Sequence, residues 1–130
     1  MIEQIYNYFT IDVLYYWVNF GILPFWLILI FFPHSHLCRL FVTSIFPIFV
    51  LSTAYIFMLY KSYLGSFNFI GNFTLYLGIE SIEELFTMES FLMMFWIHFI
   101  SINLFVGGWI VKDAQKLYIN KIILAVPLII

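Results

Sequence analysis

Charge is what this sequence has least of. Five Lys or Arg and seven Asp or Glu stand among 130 residues, 9% of the chain, where a soluble domain carries about 25%. So few charges cannot solvate the surface of a water-soluble globule, and that class is excluded. The net charge of -2 lacks the basic footprint of a nucleic-acid binder. Arginine occurs once, at Arg39, and a single cysteine, Cys38, rules out an internal disulfide. The opening residues MIEQIYNYFT have neither a basic n-region nor a small-residue cleavage site, so no signal peptide is expected. Gly-rich phosphate loops, G-x-S-x-G elbows and H-E-x-x-H pairs are all missing, and no cofactor or metal is expected.

What remains is apolar: 65% of the chain is hydrophobic and 23% aromatic. Reading from charge to charge, residues 13–38, 40–60 and 90–111 contain no Asp, Glu, Lys or Arg. About 20 apolar residues cross the hydrocarbon core as a helix, so each stretch is long enough. These stretches predict an all-α, polytopic transmembrane bundle in one integral membrane domain. Its spans lie at about 12–32, 40–60 and 90–111, with a partial fourth at 122–130. Residues 62–79 are also uncharged, yet Gly65, Gly71 and Gly78 alternate there with Asn68, Asn72, Thr74 and aromatics. That pattern suits an irregular interfacial segment better than a span. Ser81-Ile82-Glu83-Glu84 then reads as a capping box opening a short helix before the span near Ser90. Nine residues after Lys121 cover about 13 Å, less than half the core, and are expected to lie flat at the interface.

Basic residues set the orientation. Arg39 marks the first loop and Lys112, Lys116 and Lys121 the third, whereas Lys61 shares the second loop with Glu80, Glu83, Glu84 and Glu89. The positive-inside rule puts loops one and three in the cytoplasm, and the N-terminus and loop 61–89 outside. Cys38 would then be a cytoplasmic free thiol. The excess of Phe, Ile, Tyr, Asn and Lys over Ala, Gly and Arg follows AT-rich codons, so the 17 Phe read as packing and lipid-facing residues.

Few residues can carry chemistry. His98 is the one ionisable side chain near the centre of a span, and it either ties two helices together or transfers protons. Asn103 follows five residues later, about 140° around the helix. Trp96, Asn103 and Gly107 therefore line one side of that span, and His98, Phe105 and Trp109 the other. Both polar groups find partners only if the third span is packed on two sides, which makes it central. Gly107 and Gly108 allow close helix approach. Pro24 and Pro47 fall within spans and free the carbonyls of Phe20 and Thr43, for which Asn19, Thr43, Ser44, Ser52 and Thr53 are candidate donors. His34, His36 and Cys38 alternate as metal ligands would in an extended strand, but three ligands from five residues cannot surround an ion. A cytoplasmic turn after Pro33 is the expected reading.

Trp96-Ile97-His98, Asn103-Leu104-Phe105-Val106-Gly107, Trp109-Ile110 and Asp113 resemble the W-I-H…D-L-F-V-G-R-W-I…D signature of the abscisic-acid-deficient-four-like membrane family. Asn19, Pro24-Phe25-Trp26 and Pro33 are similar to its N…L-P-F-W…P pattern, and Pro127 matches a proline of its last span. The resemblance runs from about Asn19 to Pro127 and implies a bacterial-type member of a neoxanthin-synthesis-related family. Asn103 stands where the family has aspartate, Gly108 where many bacterial members have arginine, and the last span is incomplete. The plant reaction isomerises an epoxide to an allenic alcohol and needs an acid and a base. Carried over, His98 is the principal acid/base candidate and Asp113 the second. Asn19, Pro24, Trp26, Trp96, Asn103, Gly107 and Trp109 are the motif or cavity residues. The expected function is isomerase-like chemistry on, or handling of, an isoprenoid, carotenoid or other apolar small molecule in the bacterial inner membrane. The alternative is a non-catalytic subunit or assembly factor, a degraded copy needing a membrane partner chain. A channel comes third.

Overall fold

The computed structural model describes residues 4, 8–64 and 78–129, and among them every regular element is helical. Three segments, Ile11–Phe31, Cys38–Ser62 and Glu89–Lys116, are long and apolar enough to cross a membrane. The chain is thus a helical membrane protein, as its uncharged runs predict.

Helix α1 (Ile11–Phe31) starts at Thr10, whose hydroxyl accepts a hydrogen bond from the Val13 amide at 3.3 Å. Asp12 in its first turn faces the positive end of the helix dipole. The chain then turns through Pro33 into a π-helical turn, Cys38–Val42, where the Ser35 hydroxyl accepts from the Cys38 amide. Residues 43–45 bend, and α2 (Phe46–Leu64) begins. Pro47 lies within the span Cys38–Ser62, just past the bend at 43–45, so the expected interruption of that span falls directly before it. It sits in the first turn of α2, where its missing N–H would have had no partner in any case.

Residues 65–77, most of the segment read as interfacial, lie outside the described residues, while Ser62 continues α2. Helix α3 (Ile79–Phe86) starts three residues earlier than the capping box predicts, with Gly78 at its N-cap and no side-chain cap. Ser81 falls inside the helix, and Glu80 supplies the favourable charge in its first turn. The Phe86 ring meets those of Phe91 and Phe95, at 5.6 and 4.9 Å between centroids, and folds α3 back on α4 (Glu89–Lys116).

At 28 residues α4 is about 42 Å long, and it packs against α1, α2, α3 and the last helix. This is the central position expected of a helix with polar groups on two sides. Met94, Ile97, Leu104 and Val111 form its buried face, closed by Leu14, Val18, Leu29, Leu51 and Met58 of α1 and α2. After Tyr118, at positive φ, the chain reverses into α5 (Lys121–Ile129), whose first turn is capped by the Asn120 side chain. Rather than lying flat at an interface, α5 runs back along α1 and α4 with Leu124 and Leu128 buried. Leu128 packs beside Trp26 at Gly107, where the missing side chain lets the helices approach closely. Ile130 is outside the described residues.

Candidate functional site

The two sides of α4 have separate jobs. On the first, Trp96 donates its indole N–H to the Asn19 side-chain oxygen at 3.1 Å. Asn19 in turn donates to the Tyr15 carbonyl at 2.7 Å, not to the Phe20 carbonyl that Pro24 frees. Two turns along α1, the Trp26 ring lies over Gly107: a Cβ built there would meet Trp26 Cη2 at 3.3 Å and Leu128 Cδ2 at 3.5 Å. At the far end, the Gln115 amide donates to the carbonyl of buried Pro33. Sequence numbers rise together in all three contacts, so α1 and α4 are parallel neighbours. Asn103 belongs to this side by helical spacing and is half-buried. Gly108 is different, because a Cβ there would find the Val42–Thr43 backbone at 3.8–3.9 Å.

On the second side, His98 opens into a cleft of about 320 Å³ between α2 and α4. Its ring lies 6.0 Å from that of Tyr55, tilted by 48°. Ser52 and Ser101 bring hydroxyls to the same cleft, and Ile48, Ile56, Ile102 and Phe105 complete the wall. Ser101 donates to the Ile97 carbonyl at 2.7 Å. Trp109, on the same side but further along, is exposed. Tyr55 and Ser101 were not singled out by the sequence reading. The signal was present, since Ser101 follows His98, and Tyr55 follows Ser52, by three residues, the spacing of one helix face.

Asp113 is not part of this cleft. It lies fifteen residues from His98 on the same helix, about 22 Å along the axis, and pairs with Lys116 at 3.1 Å. His34 and His36 are exposed while Cys38 is fully buried in the π turn, so the three do not converge. Among the described residues no group of three His, Cys, Asp or Glu is placed to hold a metal ion.

A larger cleft, about 730 Å³, separates α1 from the other face of α2 and has Leu104 as its floor. Its walls are apolar except for the indole N–H of Trp17 and Thr53, whose hydroxyl donates to the Phe49 carbonyl at 2.9 Å.

Among known proteins, the family model ABA4-like, described as ABA DEFICIENT 4-like, matches residues 13–130. No curated protein and no solved structure matches the chain.

Proposed function

Because the chain belongs to the ABA DEFICIENT 4-like family, a membrane family tied to neoxanthin synthesis, we propose that it acts on an apolar isoprenoid through His98. One observation carries this reading. The only histidine in the three long helices opens into a lipid-depth cleft beside the hydroxyls of Ser52, Tyr55 and Ser101. Imidazole is the side chain that both gives and takes a proton near neutral pH. Isomerising an epoxide to an allenic alcohol puts one proton on oxygen and removes one from carbon. In this proposal His98 gives the first from its protonated form and, once neutral, takes the second, so the residue ends as it began. The Tyr55 hydroxyl orients the oxygen, and Asp113 takes no part in the step.

The protein is proposed to lie in a bacterial inner membrane with its N-terminus outside, on the distribution of Arg39 and Lys112–Lys121. Expression with polyene epoxides, followed by product chromatography, tests the function. Conversion by the wild type and its loss in His98→Ala and His98→Gln are the expected results; undiminished conversion by His98→Ala refutes the assigned role.

A second reading is favoured by Asn103, an amide where the family signature carries a carboxylate. It makes the chain a non-catalytic membrane subunit that stabilises a partner. A reproducible stoichiometric partner on purification in mild detergent, with no conversion of any polyene, decides for it.

A further inference from the structure

The α1–α2 cleft is separate from the His98 cleft and has a different chemistry at its end. Phe9 and Phe57 close one end of it edge to face, with ring centroids 5.8 Å apart. One turn beyond Phe57, in the last turn of α2, stands Lys61. Its ammonium donates to the Phe9 carbonyl at 3.0 Å, and no carboxylate among the described residues forms an ion pair with it. An ammonium has three donors, and the Phe9 carbonyl takes one of them. A half-buried cation thus caps a largely apolar cleft in which the Thr53 hydroxyl is bonded to its own helix.

This geometry points to a site for an anionic phospholipid, its phosphate on Lys61 and one acyl chain in the cleft. Charge complementarity selects the head. The two remaining donors suit a phosphate oxygen, which makes short charge-assisted hydrogen bonds, and among the described residues no carboxylate pairs with Lys61, so its charge is left to attract a net-negative headgroup. Depth selects the tail. From Lys61 to Pro47, at the other end of the cleft, α2 rises about 21 Å. One leaflet of the hydrocarbon core is about 15 Å deep. A chain anchored at Lys61 therefore stays inside the cleft through its whole leaflet. Lysine at a helix end holds its charge at the interface while its stem remains in apolar surroundings, the placement this requires.

The test uses the full chain in mild detergent and native mass spectrometry, with phosphatidylglycerol and phosphatidylcholine of identical chains and with free oleate. One phosphatidylglycerol should be retained per protein, and phosphatidylcholine about tenfold more weakly. Lys61→Gln should lose about tenfold in phosphatidylglycerol affinity and Lys61→Arg should keep it. Gly21 lines the cleft, and a Cβ there meets nothing within 4 Å, so Gly21→Leu narrows the path of an acyl chain through the cleft while its Cβ meets open space. That variant should keep its helical circular dichroism and lose the lipid. Equal retention of both phospholipids, wild-type affinity in Lys61→Gln, undiminished binding in Gly21→Leu, or preference for oleate over phosphatidylglycerol would each overturn the assignment.

Discussion

Gly107 and Gly108 are adjacent on one helix, yet one added methyl group should move stability in opposite directions. In both positions alanine gains about 0.5–1 kcal/mol over glycine from backbone entropy. At Gly108 the new carbon finds Val42 O and Thr43 Cα at 3.8 and 3.9 Å, the separation at which dispersion is most favourable. Gly108→Ala should therefore be neutral or up to about 1 kcal/mol more stable than the wild type. At Gly107 the carbon meets Trp26 Cη2 at 3.3 Å, Trp26 Cζ3 at 3.4 Å and Leu128 Cδ2 at 3.5 Å. Its neighbours come from two different helices, so relief on one side tightens the other. Overpacking of this kind costs about 1–3 kcal/mol, which leaves Gly107→Ala about 1 kcal/mol less stable after the propensity gain. The pair should differ by about 2 kcal/mol in a reversible unfolding titration in mixed micelles. Gly107→Ala combined with Trp26→Phe, which removes the crowding ring atoms, should be less damaging than the sum of the two single changes. Equal stability of the two alanine variants, or a more stable Gly107→Ala, would refute the packing described for Trp26.

Two further outcomes follow from the same geometry. A double-mutant cycle of Asn19→Ala and Trp96→Phe should give a coupling of about 0.6 kcal/mol, the mean for helix–helix hydrogen bonds in a membrane bundle and well below the 1.7 kcal/mol maximum; a coupling of zero would mean that the 3.1 Å contact contributes nothing. Cysteines introduced at exposed Glu83 and Lys112, in a chain whose Cys38 is replaced by Ser, should react with an impermeant maleimide from opposite sides of the membrane. Reaction from one side would overturn the proposed orientation.

The uncharged runs marked the three long helices because hydrocarbon excludes charge whatever the tertiary packing. Helix ends were less visible: α4 continues to Lys116 and α2 past Lys61, since helical hydrogen bonding persists into the interface where charges are welcome. The two-sided character of α4 was legible from the spacing of Trp96, Asn103 and Gly107 against His98, because helical period alone decides it. Which helix lies on each side was not. Partners such as Asn19 and Trp96 are 77 residues apart, and no local pattern encodes that pairing. Pro47 was legible as an interruption of its span, but a proline within an apolar run has the same appearance whether it kinks a continuous helix or opens a new one. The break at residues 43–45 depends on packing that sequence does not display. The course of α5 was missed for a similar reason: apolar composition drives a segment out of water equally well toward lipid or toward Trp26 and Gly107.

The parallel contact of α1 and α4 imposes an order of assembly. Neighbouring spans can pair as hairpins as soon as both have emerged, but α1 and α4 are separated by α2, the connecting segment and α3. Until α4 arrives, Asn19 has its Tyr15 bond and no cross-helix partner, and Trp26 has no glycine to lie on. Because a cleft separates α1 from α2, the first two spans wait with few contacts between them, and the ties from Trp96, Gly107 and Gln115 turn three inserted helices into one body. A cell that makes this protein must hold its first two spans in the membrane, incomplete, until Glu89–Lys116 has been synthesised.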